Sequence, residues 1–207
     1  MPTLFDKLNL KDNKRVLVLH APDTVVPELS ALTGVDVHTA WEPGLTAPFI
    51  LVFCTKKAQV DSLAGPMASA AVGDAVLWFA YPKGSSKRYK CDFNRDNGWG
   101  ALGEQGFEPV RQVAIDDDWS ALRFRRTGFI KTMTRSFAMS AEGIEKVAAA
   151  KKSAAEKASV AKKAPAAKAS VAKKAPAAKA SVAKKAPAAK ASVAKKASVA
   201  KKPVRAK

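Results

Sequence analysis

The chain has 207 residues and a net charge of +18, from 36 Lys and Arg against 18 Asp and Glu. Residues 151–207 contain 17 Lys and Arg205 against Glu156, a net charge of +17, which leaves +1 for residues 1–150. The two widely spaced cysteines exclude a disulfide framework and a CxxC site. The apolar runs are too short to cross a membrane and the first residues lack a signal peptide, so a cytoplasmic protein is expected.

The first 137 residues alternate predicted strands and helices. The early elements are a helix from Thr3 to Leu8, a strand over 15–20, a helix over 27–32 and strands over 35–40 and 49–55. A helix over 57–71 with a break at Pro66 follows, and then a strand over 75–81. The last elements are a helix from Asn94 or Asp96 to about Gly106 and strands over 110–115 and 120–125.

This alternation predicts a small Rossmann-like, three-layer α/β domain. Its sheet is expected to be mostly parallel, with a C-terminal antiparallel strand pair joined by the turn 116–119. All 15 aromatic residues lie between Phe5 and Phe137, which places the globular domain at residues 1–137. Residues 138–156 are expected to form a partly helical linker, followed by a basic tail over 157–207.

The domain also resembles a small bacterial family that is known only as a domain of unknown function. The resemblance covers about residues 3–127. Its most specific pieces are YPKGSSK after the fourth strand and WSALRFR in the last strand. It implies a fold but no activity, because a fold alone does not determine function.

Several cations and hydroxyls follow the third and fourth strands, where open α/β sheets bind ligands. Lysine charge, serine hydroxyls and the amides of a glycine turn together suit an anion such as phosphate or a nucleotide. The alternative to an anion site is that these residues belong to ordinary solvated loops, in which Lys and Ser are common. The candidate anion-binding residues are Lys56, Lys57, Lys83, Ser85, Ser86, Lys87 and Arg95.

The other motifs predict no cofactor, metal site or catalytic residue. The segment 98–103 (GWGALG) matches G-x-G-x-x-G, but it does not directly follow the first strand as a dinucleotide fingerprint must. We interpret it as a structural helix with closely packed glycines. Residues 116–118 (DDD) are typical of an acidic turn, and the adjacent Ser86 and Lys87 lack the spacing of a Ser–Lys nucleophile. The residues therefore do not predict an enzyme.

The tail is a repeat of 11 residues, KASVAKKAPAA, which begins at Lys157, Lys168 and Lys179. Each copy contains a proline, which opposes a continuous helix. No Leu, Ile, Phe, Tyr or Trp occurs after Ile144, so little apolar area is available to offset the entropy of ordering. The composition predicts disorder.

The lysines of each copy would surround a helix axis, which excludes an amphipathic membrane helix and favours a polyanion such as nucleic acid. Attraction to anionic lipid and a tail that only increases solubility are the alternatives. The tail resembles the C-terminal tails of linker histones and bacterial histone-like proteins, which implies DNA compaction without sequence preference. The predicted nucleic-acid-binding residues are Lys151, Lys152, Lys157, Lys162, Lys163, Lys168, Lys173, Lys174, Lys179, Lys184, Lys185, Lys190, Lys195, Lys196, Lys201, Lys202, Arg205 and Lys207.

Three functional hypotheses follow from the sequence. The first is a histone-like, nucleoid-associated protein that binds DNA through its tail. The second is a small-molecule-binding, nucleotide-binding or enzymatic Rossmann-like domain that the tail localises. The third is an RNA- or ribosome-associated protein, because lysine contacts phosphate and does not distinguish DNA from RNA. The concentration of charge in the tail favours the first hypothesis.

Overall fold

The computed structural model describes residues 3–133, 135 and 137–162, with side chains described as far as Ala154. The strands in this part of the chain are β1 (Arg15–Leu19), β2 (Asp36–His38), β3 (Ala47–Phe53), β4 (Ala71–Pro82), β5 (Phe107–Ala114) and β6 (Trp119–Arg126). The helices are α1 (Leu4–Lys7), α2 (Val26–Ser30), α3 (Lys57–Ala70), α4 (Gly100–Glu104) and α5 (Ala141–Lys162).

The strands form one sheet in the order β2-β1-β3-β4-β6-β5. Strands β1 to β4 pair in parallel, whereas β6 is antiparallel to both β4 and β5. The last strand of the sequence therefore lies between β4 and β5. This topology confirms the predicted Rossmann-like α/β domain with a mostly parallel sheet and a C-terminal antiparallel pair.

Each face of the sheet has its own apolar core. On one face, Phe5 of α1 and Leu29 of α2 pack with Phe49 and Trp78. On the other face, Met67 of α3 packs with side chains of the sheet and with Leu102 of α4. The strands are apolar on both sides because helices cover both sides, which is typical of parallel sheets.

Two buried tryptophans in the core that α1 and α2 cover differ in their hydrogen bonding. Trp78 Nε1 donates to the Leu8 carbonyl at 2.7 Å. Trp119 packs its ring against Phe53 and Tyr89, with ring centroids 5.1 and 5.0 Å away. Its buried Nε1 finds no acceptor among the described residues.

This difference predicts unequal effects of the same substitution. Both Trp78→Phe and Trp119→Phe remove the same ring volume, but only the first leaves a buried carbonyl without its donor. We expect Trp78→Phe to lower the free energy of unfolding by about 1–2 kcal/mol more than Trp119→Phe. Urea unfolding of the two variants measures the difference, and an equal or larger loss for Trp119→Phe would contradict it.

Two helices differ from the sequence prediction. Pro66 does not break α3, which continues to Ala70 because the burial of Val60 and Met67 offsets the missing amide donor. The helix expected to begin at Asn94 or Asp96 begins later, at Gly100. The Asn94 side chain instead accepts hydrogen bonds from the backbone of Asp96 and Asn97 in a turn.

The packed domain extends past residue 137, where the aromatic residues suggested its end. Glu108 of β5 is 1% exposed, and its Oε1 accepts from the Met139 and Ser140 amides and the Ser140 hydroxyl at 2.7–2.8 Å. The Ser140 hydroxyl in turn accepts from Gly143 N at 3.0 Å and caps α5. Polar and small residues make these contacts, so the aromatic distribution did not indicate them.

Helix α5 continues into the region for which the sequence predicts a disordered tail. It ends at Lys162, and Pro165 is the first proline of the repeat. Alanine and lysine have high helix propensity, and the segment before Pro165 contains no residue that breaks a helix. The other residues of the predicted tail, 163–207, lie outside the described residues.

Candidate functional site

The carboxyl ends of β1 and β3 form the topological switch point of the sheet. Strand β1 has β2 on one side and β3 on the other, so the helical connections from β1 to β2 and from β3 to β4 run in opposite directions from this point. Open α/β sheets bind their ligands in the crevice at this point. The residues that follow β1 and β3 are therefore the first place to look for a ligand site.

His20, directly after β1, occupies this point in an unusual backbone conformation. Its φ is +57°, in the left-handed region that favours glycine. Its Nδ1 lies 3.3 Å from the Phe53 carbonyl at the end of β3, so the imidazole spans the two strand ends. A carbonyl only accepts, so Nδ1 donates and Nε2 of the neutral ring is left as an acceptor.

A cleft opens beside His20, between α2 and the ends of β1 and β2. We call it the switch-point cleft, and its volume is about 450 Å³. Its polar lining is His20, Ser30 and Thr39, and none of the described residues that line it is Lys, Arg, Asp or Glu. The apolar residues that line it include Val18, Val26, Leu29, Leu32 and Val37.

Two of the predicted anion-binding residues, Lys57 and Arg95, make contacts with acids. Lys57 Nζ pairs with Asp61 at 2.5 Å, and the Lys57 amide donates to Asp92 Oδ1 at 2.6 Å. Lys56 is exposed. Arg95 pairs with its neighbour Asp96 at 2.9 Å.

The predicted residues after β4 contact the acidic turn between β5 and β6. Lys83 Nζ donates to the Asp116 carbonyl at 2.5 Å, and the Ser86 hydroxyl donates to Asp118 Oδ1 at 2.7 Å. Ser85 and Lys87 are exposed. The cavity that Lys83 and Ser86 line has a volume of only about 150 Å³, below the usual size of a ligand pocket. Anion binding by these residues stays a prediction.

The turn 116–118 is held by its own hydrogen bonds. Asp116 Oδ1 accepts from the amides of Asp118 and Trp119 at 2.8 and 2.7 Å, and Asp116 Oδ2 accepts from the Thr24 hydroxyl at 3.0 Å. This is the Asx-turn geometry expected of an acidic turn. Among the described residues, no group of three His, Cys, Asp or Glu side chains could hold a metal ion.

The glycines of segment 98–103 serve packing. Gly98 has a φ of +93°, and a Cβ there would lie 2.6 Å from Phe93 Cβ. A Cβ on Gly103 would lie 2.8 Å from the Met139 carbonyl oxygen. The segment leads into α4 between β4 and β5, away from the β1–α2 turn where a dinucleotide fingerprint belongs.

A second cavity, which the sequence did not reveal, lies at the amino ends of β3 and β4. We call it the Arg123 cavity; its volume is about 580 Å³. It is lined by Asn9, Lys11, Asn13, Pro48, Val72, Asp74, Ala75, Val76, Arg123 and Arg125.

The charges of the Arg123 cavity are only partly paired. Arg125 donates two hydrogen bonds to the Asp74 carboxylate, and this interaction lowers the pKa of Asp74. Arg123 has a buried Nε with no acceptor among the described residues. Burial lowers the pKa of Arg123, and the nearby Arg125 and Arg111 lower it further.

None of the described helices combines the length and the apolar character needed to cross a membrane. No protein-family model and no curated protein matches the sequence. Solved structures are similar at a low level. N-methyltransferase NodS from Bradyrhizobium japonicum WM9 is 12% identical with a TM-score of 0.42, over 59% of this chain and 92% of that one.

Two further structures are similar to the same degree. Magnesium protoporphyrin IX methyltransferase (ChlM) from Synechocystis PCC 6803 is 12% identical with a TM-score of 0.40, over 60% of this chain and 74% of that one. A protein of the NADB-Rossmann superfamily from Streptococcus agalactiae is 12% identical with a TM-score of 0.38, over 59% and 67% of the two chains. Such similarity concerns the fold, and the residues of the sites must indicate the function.

Sequence reasoning missed His20 and Arg123 as site residues. His20 follows a strand without an intervening glycine, and its left-handed φ is not visible in the sequence. Arg123 had a detectable signal. It alternates with Arg125 along β6, so both side chains belong to the same face of the sheet.

Proposed function

We propose that the folded domain binds a small, uncharged and largely apolar molecule in the switch-point cleft. The observation that carries the proposal is an apolar cleft beside His20, between α2 and the carboxyl ends of β1 and β2, next to the switch point of a Rossmann-like sheet. Its volume of about 450 Å³ falls in the range of small-molecule sites. A few polar groups among apolar walls are typical of sites that orient one ligand.

The residues at the end of β1 argue against a dinucleotide. A pyrophosphate needs a glycine turn there, so that the backbone can approach it closely. Here His20 takes the left-handed position, and its ring reaches the Phe53 carbonyl across the crevice. The described lining also offers no lysine or arginine for a phosphate. A neutral ligand on the α2 side of His20 fits these residues better.

His20 also indicates what the ligand should donate. With Nδ1 held by the Phe53 carbonyl, Nε2 of the neutral ring is a hydrogen-bond acceptor. The hydroxyls of Ser30 and Thr39 can donate or accept. A planar heterocycle with an N–H group would satisfy Nε2 and bury its faces against the aliphatic side chains.

A charged side chain at the rim of the cleft should weaken this binding. Val26 is 44% exposed, so Val26→Asp is expected to fold. A carboxylate there should raise the dissociation constant of an uncharged ligand about tenfold or more, because binding would desolvate it. Backbone amide NMR shifts of residues 26, 28–32 and 39 provide the measurement, with adenosine, indole and benzamide as probes.

Ala31→Asp is the matched control, because Ala31 is exposed at the end of the same helix and does not line the cleft. It should leave the binding unchanged. The proposal fails if none of the probes shifts these amides, or if Val26→Asp binds them as well as the natural chain does.

A second function, binding of nucleic acid, is favoured by the charge of residues 151–207. These residues carry a net charge of +17, whereas residues 1–150 carry only +1. Lys151 and Lys152, the first of these cations, are exposed on α5. We propose that this segment binds duplex nucleic acid through phosphate, with DNA preferred, and that it localises the domain to the nucleoid. RNA or the ribosome is the alternative target.

A further inference from the structure

The Arg123 cavity has more basic than acidic side chains in its described lining. Lys11, Arg123 and Arg125 line it, and Asp74 is the single acid among its described lining residues. Asp74 is already engaged by Arg125 through two hydrogen bonds. No carboxylate of the described lining is left for Arg123.

Arg123 lies in a row of side chains that cannot neutralise it. Its cross-strand neighbours are Trp78 on β4 and Arg111 on β5. The Arg123 side chain is half-buried, and its Nε is fully buried without an acceptor in the described part of the chain. A buried N–H of a charged group costs free energy until it has a partner.

The cavity gives an anion access to the Arg123 guanidinium group on the side that lines it, although Nε itself is shielded from solvent. Its volume of about 580 Å³ exceeds the space that one inorganic anion needs. Asn9 and Lys11 belong to the loop between α1 and β1 and line the same cavity as Arg123. Guanidinium groups bind planar and tetrahedral oxyanions through paired N–H donors.

We propose that the Arg123 cavity binds a small molecule through an oxyanion group, a phosphate ester or a carboxylate. The site lies at the amino ends of β3 and β4, whereas the switch-point cleft lies at the carboxyl ends of β1 and β2. The two sites can therefore be occupied at the same time. The lysine-rich tail is cationic and is not a suitable occupant.

The Arg123 Nε–Hε resonance of the full-length protein tests the proposal directly. Inorganic phosphate and acetate are titrated separately at constant ionic strength, with chloride as the replaced ion. We expect a saturable shift of this resonance with at least one of them, and the tighter of the two identifies phosphate or carboxylate as the group. Lysines of the tail do not contribute to this signal, because they have no Nε–Hε pair of this kind.

Two substitutions remove the binding in different ways. Arg123→Met should raise the dissociation constant about tenfold or more, as amide shifts of residues 72–76 would show, because a charged hydrogen bond is lost. It should also raise the melting temperature in phosphate-free buffer, since it removes an unpartnered buried charge. Lys11→Gln changes an exposed side chain and should weaken binding severalfold without unfolding the domain.

The double variant Lys56→Gln/Lys87→Gln is the control, because both lysines are exposed at the opposite end of the sheet. It should bind both probes as the natural chain does. The proposal is overturned if neither anion gives a saturable shift, if the Lys11→Gln variant binds with unchanged affinity, or if Arg123→Met lowers the melting temperature. That last result would mean that the protein itself satisfies Arg123.

Discussion

Deletion of residues 151–207 is expected to abolish binding of duplex DNA and to leave the melting temperature of the domain almost unchanged. The deletion removes 17 of the 18 net charges of the chain. It removes no large apolar side chain, because no Leu, Ile, Phe, Tyr or Trp occurs after Ile144. The side chains of Ala148–Ala154 are exposed, so this end of α5 contributes little to the core.

The salt dependence of binding measures how many cations are engaged. If about half of the tail cations neutralise phosphates, log K should fall against log salt with a slope of roughly −7 to −8. The affinity should not depend on the DNA sequence, because lysine contacts phosphate and does not read bases. Acetylation of the tail lysines should weaken binding progressively, since each acetyl group removes one charge.

Two results would contradict the role of the tail. One is full affinity in the variant that ends at Ala150, and the other is a slope near zero. A comparison of duplex DNA with duplex RNA at the same salt concentration then separates the nucleoid hypothesis from the ribosomal one. A clear preference for RNA would favour the latter.

Gly143→Ala is expected to destabilise the domain by about 2–3 kcal/mol, although alanine usually stabilises a helix relative to glycine. A Cβ at this position would lie 2.7 Å from the Ser140 hydroxyl oxygen and would also clash with Glu108 Oε1. Relief of the clash would separate the buried Glu108 carboxylate from the donors at the start of α5. A buried carboxylate that loses its donors is strongly destabilising.

Gly100→Ala is the matched control for this effect. Gly100 also lies in the first turn of a helix, α4, but a Cβ there would meet nothing within 4 Å. Its replacement should stabilise the domain by about 0.5 kcal/mol through helix propensity. Chemical unfolding of both variants should therefore give changes of opposite sign. A stabilising Gly143→Ala would show that the Glu108–Ser140 contact is not closely packed.

The strands and the mostly parallel character of the sheet were predictable because their signals are local and strong. The apolar runs of β1, β3 and β4 are as expected of strands buried on both faces, and helices connect β1 to β2 and β3 to β4. The first and last residues of the strands were less predictable. Strand β4 begins at Ala71, before the apolar run, because β3 offers it a partner at Ala47.

The candidate sites were harder to predict because they depend on residues that are distant in sequence. The lysines and serines near β3 and β4 suggested an anion site by themselves. The structure adds Asp92, Asp116 and Asp118, whose proximity no local pattern reveals. Prediction of the Arg123 cavity would have required knowing that only one acid, Asp74, is in its described lining together with Arg123 and Arg125.

The position of β6 between β4 and β5 affects the order in which the strands can pair during synthesis. As the chain is synthesised, β4 is complete long before its neighbour, so its apolar edge stays open for pairing with another chain. The hairpin of β5 and β6 is local and can form before it docks on that edge. We therefore expect the hydrogen bonds of the Asp116 turn, which closes the hairpin, to shorten the time during which this edge is open.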